Sequence, residues 1–351
     1  MQNALTAPSL CAAYLDQFKI GAAVRLDQLL DADRAQLLKR HFNSLTAEND
    51  MKPERLLDHA ATLAGGDAVT AKCDFSTCDR YLAFARDNGL QLRFHVLCWH
   101  NQTPRWCFAK DWSDAPDAPL ADAALMQKRL ESYIETVMEH VNRCYPGVVY
   151  AFDVVNEAIE PAQGAENALR SKSPWYEALG GEFIPCAFRA ARRFALPGQK
   201  LFYNDYNCFE PEKCEAICAL LSRLKAEGIV DGMGMQAHFV LDGFDAAACE
   251  RAARAYADLG LTLHATELDI HCTSMDEESQ EQLATAYESY FAMLLKLKRE
   301  GVKVENVTFW GLTDADSWLT GFRKQQSYPL LFTGDMRTKL AFDRVLNAPS
   351  H

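Results

Sequence analysis

The sequence predicts an α/β fold, a single (β/α)8 TIM barrel with extended βα loops that takes up residues 1–351 as one domain. Three observations predict it. Short apolar segments rich in β-branched residues alternate with longer segments of helical periodicity, eight of each. No linker, low-complexity run or internal duplication interrupts the alternation, although 351 residues could also fill two ordinary domains. Finally, the predicted strands run out into polar and aromatic residues: Glu48-Asn49, Trp99-His100, Asn156-Glu157, Asn204-Asp205-Tyr206, Gln236-Ala237-His238, Glu267-Leu268-Asp269 and Trp310. In a barrel these all gather on the C-terminal face, where such folds carry their chemistry.

The elements follow in order. Residues 18–24 read as the first strand, and Leu26, Leu29, Leu30, Leu37 and Leu38 recur at helical spacing as far as His41. Residues 42–48 are the second strand, followed by a loop and a helix through Tyr81, Leu82, Phe84 and Ala85 that stops at Asn88-Gly89. The third strand is 92–99 and its helix 123–144. The fourth is 148–157, after which a long loop with several Pro and Gly leads to a helix at 185–194, Pro185 lying in the tolerant first turn. Strands at 200–206, 233–239, 261–270 and 304–311 follow. Their helices are 211–227, 246–259, one carrying Leu283, Tyr287, Tyr290, Phe291, Leu294 and Leu297, and a closing helix at 339–346.

Composition narrows the function. A chain 49% hydrophobic and 24% charged is a globular protein, and its net charge of −12 repels nucleic acid and anionic membranes, so neither is an expected partner. No stretch reaches the roughly 18 apolar residues of a spanning helix. No apolar run follows Met1, and the twelve cysteines are scattered without a Cys-x-x-Cys pair, several inside apolar runs (Cys98, Cys186, Cys218). The expectation is free thiols in a reducing cytoplasm, the alternative being a secreted protein whose leader is absent from this chain. The sequence carries no signature of oligomeric state.

No cofactor or metal is expected. Gly232-Met233-Gly234-Met235-Gln236-Ala237 imitates a dinucleotide fingerprint, but it begins a strand instead of joining a strand to a helix. The nine histidines include no His-x-His and no His-Glu-x-x-His.

Two stretches carry the chemistry. Ala151-Phe152-Asp153-Val154-Val155-Asn156-Glu157-Ala158 and Thr262-Leu263-His264-Ala265-Thr266-Glu267-Leu268-Asp269 each read as a buried parallel strand that delivers one glutamate. A lone glutamate at a strand end is ordinarily a surface carboxylate. Two of them at strands four and seven of one barrel can converge over its mouth, and paired carboxyl groups are what glycosidic bond cleavage requires. Retaining enzymes hold the pair about 5 to 5.5 Å apart and inverting ones about 6.5 to 9.5 Å, which sequence does not measure.

The chain resembles the endo-β-1,4-xylanases of glycoside hydrolase family 10 almost end to end. The resemblance is carried by Thr46-Ala47-Glu48-Asn49-Asp50-Met51-Lys52, His95-Val96-Leu97-Cys98-Trp99-His100-Asn101-Gln102, Asp153-Val154-Val155-Asn156-Glu157, Asn204-Asp205-Tyr206-Asn207, Met235-Gln236-Ala237-His238, Thr266-Glu267-Leu268-Asp269, Phe309-Trp310-Gly311-Leu312-Thr313-Asp314 and Ser317-Trp318. Tyr328-Pro329-Leu330-Leu331-Phe332 is similar to the closing segment of the family. Phe94, Asn101 and Cys107 depart from the common pattern and are expected beside the cleft, where they bear on substrate preference more than on reaction type.

The resemblance implies a retaining hydrolysis of xylan or xylo-oligosaccharides. Glu157 would be the general acid and base and Glu267 the nucleophile, so one carboxyl must carry a proton while the other is charged. His238 and Asp269 match a network that holds and tunes the nucleophile, and Asn156 matches the residue that grips the sugar 2-hydroxyl. Glu48, Asn49, Lys52, His95, His100 and Gln102 match the sugar subsite on the non-reducing side of the cut, and Tyr206 and Gln236 complete the binding set. Singly, Lys52 and Glu48 would read as solvated charges and His95 as a core histidine. Trp99, Trp310 and Trp318 could be core, yet flat indoles also suit pyranose faces, and the family pattern puts Trp310 and Trp318 over the cleft. Two other readings share these features: a different retaining β-glycanase on the same barrel, and a non-catalytic carbohydrate-binding barrel. The presence of both glutamates disfavours the second.

Overall fold

In the computed structural model, residues 1–350 are described, so His351 at the end of the expected domain lies outside the described residues. Eight parallel strands close into a ring: β1 (Lys19–Val24), β2 (Ser44–Ala47), β3 (Gln91–Phe94), β4 (Val149–Asn156), β5 (Lys200–Asp205), β6 (Gly232–Met235), β7 (Thr262–His271) and β8 (Val304–Phe309). Closure is visible at Gly232 of β6, which pairs with Phe202 on one side and with Thr262 on the other. Packed round the ring are α1 (Ala32–His41), α2 (Ser76–Asp87), α3 (Ala123–Cys144), α4 (Phe183–Phe194), α5 (Pro211–Ala226), α6 (Ala246–Asp258), α7 (Glu277–Arg299) and α8 (Leu340–Asn347). The (β/α)8 architecture is therefore as the periodicity predicted.

The helix starts follow from side chains that satisfy otherwise orphaned amides. Asp122 accepts from Leu125 N at 2.8 Å and opens α3, while Asp276 accepts from Ser279 N at 2.8 Å and opens α7. Asp31 corrects one expectation. The leucine periodicity from Leu26 to Leu38 is not one helix but two, Leu26–Leu30 and α1, because Asp31 is extended (ψ 125°) and caps Arg34 N at 2.8 Å.

Two strands are also interrupted where one continuous run was expected, and both break where the site begins. The third breaks after Phe94 and pairs again only at Cys98–Trp99. The sixth breaks after Met235, and Ala237 (φ 63°) turns the chain before His238–Val240 rejoins β7. Each break frees side chains that a straight strand would have pointed along its flanks. Phe94 and Cys107 are both buried, Phe94 against Phe152 at 5.4 Å. Asn101 is exposed.

The barrel interior is not purely aliphatic. Arg93 is fully buried, bidentate to Asp153, donating to His264 Nδ1 at 2.7 Å and lying 4.6 Å over the Phe202 ring. The imitation fingerprint in β6 has a packing cause. A Cβ on Gly234 would stand 2.3 Å from Asn204 Oδ1, and one on Gly232 would stand 2.2 Å from the Phe202 ring, so both glycines make room for inward side chains of β5. No helix among the described residues is long and apolar enough to cross a membrane.

Candidate active site

The two glutamates come from different backbone settings. Glu157 is the residue after β4, and there the chain enters the left-handed region with φ 55°. That turn lifts its carboxyl into the mouth, where Oε2 accepts from Trp99 Nε1 and Oε1 from Gln236 Nε2, each at 2.9 Å. Glu267 stays within β7, and its side chain is only 7% exposed. Its Oε1 accepts from Asn204 Nδ2 at 2.7 Å and its Oε2 from His238 Nε2 at 3.1 Å.

His238 faces a carboxylate with each nitrogen, since its Nδ1 donates to Asp269 Oδ1 at 2.8 Å. Two anionic acceptors require both ring nitrogens to be protonated, so the ring is an imidazolium. Burial alone would lower its pKa, but Asp269 and Glu267 outweigh burial and raise it to about 10. For Glu267 burial pushes up, and the His238 hydrogen bond, the nearby His95 and Asn204 outweigh it, holding the carboxyl at about 2. Trp318 Nε1 donates to the other Asp269 oxygen at 2.9 Å, which fixes the indole over this charged row, 5.0 Å from the His238 ring.

Amide groups link the two carboxylates. Asn156 Oδ1 accepts from Asn204 Nδ2 at 2.8 Å and from Gln236 Nε2 at 3.2 Å, so the path Glu157, Gln236, Asn156, Asn204, Glu267 is continuous hydrogen bonding. Asn204 is fully used, because its Oδ1 accepts from Thr266 Oγ1 at 2.6 Å. Asn156 Nδ2 has no protein partner among the described residues and stands free to donate to a ligand.

The remaining predicted residues line the same mouth. Lys52 is buried, donates to Asn49 Oδ1 and Gln102 Oε1 at 2.9 Å each, and sits 4.8 Å over the Trp99 ring. Burial lowers its pKa, against the pull of Glu267, Glu48 and Glu157 together, so one ammonium senses both central carboxylates. Asn49 Nδ2 donates to Glu48 Oε1 at 3.3 Å. His95 bonds Asp153 Oδ2 at 3.0 Å through Nδ1 and meets the Trp310 ring edge-on at 5.4 Å. His100 packs edge-on against Trp99, and burial holds it near 4, so it is neutral. Tyr206 donates to Glu160 Oε2 at 2.6 Å on the rim. Among the described residues no group of three or more His, Cys, Asp or Glu is placed to hold a metal ion.

Comparison with known proteins agrees with this geometry. The sequence profile described as Glycosyl hydrolase family 10 matches residues 9–348. The chain belongs to glycosyl hydrolase family 10. Endo-1,4-beta-xylanase B of Butyrivibrio fibrisolvens is 42% identical over 344 residues, which are 97% of this chain and 53% of that protein. Endo-1,4-beta-xylanase A of Thermotoga maritima is 38% identical over 341 residues, 95% of this chain and 30% of that one. The chain thus spans about half the length of the first and under a third of the second. Among solved structures, the CBM22-1–GH10 modules of Clostridium thermocellum endo-1,4-beta-D-xylanase 10B, complexed with xylohexaose, superpose with a TM-score of 0.89 at 30% identity over 97% of this chain and 67% of that one. TsXylA, an intracellular xylanase from Thermoanaerobacterium saccharolyticum, gives 0.85 at 31% identity over 97% and 98%.

Further residues support this family 10 site. Asn204, a strand-end residue inside a family motif, holds Glu267 and Asn156 together. Asp153, inside another motif, and Arg93 read from sequence as strand residues. The available signal was a lone acid in Ala151-Phe152-Asp153-Val154 and a lone base in Leu92-Arg93-Phe94, opposite charges in neighbouring buried strands. Arg170, in the long loop after β4, had no local signal; its Nε donates to the Glu157 carbonyl at 2.8 Å.

The charged row predicts a titration. Glu267, lowered to about 2, contributes stability above its unfolded pKa that is lost as pH falls toward 2. His238 contributes stability below its usual 6.5 that is lost as pH rises toward about 10. In His238→Asn the largest force lowering the Glu267 carboxyl is gone while burial still raises it, so its pKa rises. Carbon-13 NMR of labelled glutamate carboxyls reads this directly, and an unmoved Glu267 titration would refute the assignment.

Proposed function

We propose that the chain is a retaining endo-β-1,4-xylanase that cuts xylan or xylo-oligosaccharides by double displacement. The observation that carries the proposal is the opposed setting of two linked carboxyls, Glu267 held ionised by His238 and Glu157 raised into the mouth by its turn. Membership of family 10, with relatives named as xylanases, supports the same reading.

The chemistry follows from these placements. The Glu267 carboxylate attacks the anomeric carbon while Glu157 gives its proton to the departing glycosidic oxygen, leaving a covalent glycosyl-enzyme. Glu157 then takes a proton from water as that water attacks the same carbon, which releases Glu267 and restores the starting configuration. Asn156 Nδ2 is free to hold the sugar 2-hydroxyl, a contact that tightens as positive charge develops on the ring. Lys52, Asn49, Glu48, Gln102, His95 and His100 offer the donors and acceptors for the sugar on the non-reducing side, with Trp99 beneath Lys52. Trp310 and Trp318 stand edge-on to the His238 ring, at 6.2 and 5.0 Å, and in this proposal they crowd the place where glucose would carry its hydroxymethyl group, which favours xylose. Gln236 bonds the acid directly, and Tyr206 bonds Arg170, which holds the Glu157 carbonyl.

We place the protein in the cytoplasm, acting on short imported xylo-oligosaccharides. Its acidic charge, its twelve free cysteines and its likeness to an enzyme described as intracellular support this.

On an aryl xylobioside with a good leaving group, Glu157→Ala keeps measurable kcat/KM, because little protonation is needed, and Glu267→Ala loses it. Equal losses would reverse or void the two roles. A substrate panel tests the rest. Trp318→Ala should lower the ratio of xyloside to glucoside hydrolysis, and an unchanged ratio removes Trp318 from sugar choice. Wild-type enzyme should cleave xylotetraose at least as fast as long xylan, and a strong preference for polymer would end the oligosaccharide proposal.

A further inference from the structure

Glu157 adopts a backbone conformation that residues with side chains rarely take, and such a conformation persists only where its surroundings over-determine it. Those surroundings lie behind the residue, away from its carboxyl. Its N–H donates to Asn204 O at 2.9 Å, and its carbonyl accepts from Arg170 Nε at 2.8 Å. The next two amides, of Ala158 and Ile159, both donate to the Tyr203 hydroxyl at 3.0 Å.

A phenol has one hydrogen to give and accepts two hydrogen bonds. With both acceptor positions filled, Tyr203 must donate to Asp205, its close neighbour, whose carboxylate is fully buried. Asp205 is held in turn by Tyr206 N at 2.9 Å and by the ammonium of Lys213 at 2.8 Å. Arg170 is equally fixed at its other end, donating to Glu160 Oε2 at 3.0 Å and to Tyr206 Oη at 2.8 Å. It reaches the site because the loop folds back, with Arg170 N bonded to Ala158 O at 2.8 Å and Glu160 N to Ala168 O at 2.7 Å. The Glu157 carboxyl itself is bonded to Trp99 and Gln236, and to neither Tyr203 nor Arg170.

We propose that Tyr203 and Arg170 are positioning residues that aim the Glu157 carboxyl through its main chain, Tyr203 by the two following amides and Arg170 by the Glu157 carbonyl. The proposal rests on the reading of Glu157 as the proton donor. Tyr203 takes no part in proton transfer, since every hydrogen-bonding position on its oxygen is occupied. Without either clamp the turn relaxes toward ordinary backbone angles and the carboxyl swings off the leaving group. Glu267 keeps its own support from His238 and Asn204, so attack on the sugar continues.

The signature is therefore a dependence on leaving group. Tyr203→Phe keeps the ring and removes the acceptor. Arg170→Lys keeps the charge but cannot span the Glu157 carbonyl and the Glu160–Tyr206 pair together. Each full-length variant is compared with wild type on xylotetraose and on 2,4-dinitrophenyl β-xylobioside, with melting temperature followed alongside. Since a general acid contributes on the order of 10² to 10⁴ in rate, kcat/KM on xylotetraose is expected to fall by about 10-fold or more while the dinitrophenyl substrate stays within about threefold.

Equal losses on both substrates, or no loss on either, overturn the proposal. Should Tyr203→Phe fail to fold, Arg170→Lys alone gives the same two outcomes. A wild-type enzyme that cleaves neither substrate defeats the reading of the site itself, and that result is distinguishable because it involves no variant.

Discussion

The protonated ring of His238 lies between two buried carboxylates, and most of the site is arranged around that contact. A buried carboxylate is costly unless it is paired and hydrogen-bonded. Glu267 meets both conditions through His238 and Asn204, and His238 can remain charged only because Asp269 balances its other nitrogen. The row is anchored by Trp318, which comes from the far end of the chain and donates to Asp269. Closing the barrel with β8 and its loop is thus part of holding Glu267 ionised. The Arg93–Asp153 pair supports the row from the next strand, where Asp153 accepts from the guanidinium and bonds His95, one of the neighbours that lower Glu267.

Part of the backbone strain falls where the site residues are. Among the described residues nine non-glycine positions have positive φ, and Gln102, Glu157, Asn207 and Ala237 of these lie at or just past the ends of barrel strands. A regular strand alternates its side chains between two faces and cannot bring Asn156 and Glu157 toward one ligand. The left-handed turn at Glu157 breaks the alternation, as Ala237 does between Gln236 and His238. The cost is met by hydrogen bonds from neighbouring strands and from the loop that carries Arg170.

Much of this was legible in the sequence, for identifiable reasons. Strand and helix order followed from hydrophobic periodicity, and α3 was placed at its observed bounds because its apolar stripe runs unbroken from Met126 to Val141. Glu157, Glu267 and the other strand-end residues were legible because polar groups there interrupt apolar runs, whereas Lys52, His95, Gln102 and Trp318 followed only from the family resemblance. What escaped depended on three dimensions. Asp31 separates two helices through its own cap while the leucine spacing continues across it. Gly232 and Gly234 had to be excluded by context, and their cause appeared only when Phe202 and Asn204 were seen to fill the space opposite them. Arg170 lies in a loop with no periodicity, and only the fold brings it to Glu157.

The central claim is that Glu267 is the atom source for a covalent bond to the sugar, made possible by the charge that His238 imposes on it. Inactivation with a 2-deoxy-2-fluoro xylobioside carrying a good leaving group, followed by mass spectrometry of the digested protein, tests this most directly. The fluorine slows release of the glycosyl-enzyme, so the label stays in place for mapping. One fluoroxylobiosyl group on the peptide containing Glu267 is the predicted result. A label on Glu157 or any other residue, or turnover with no covalent adduct, would contradict it.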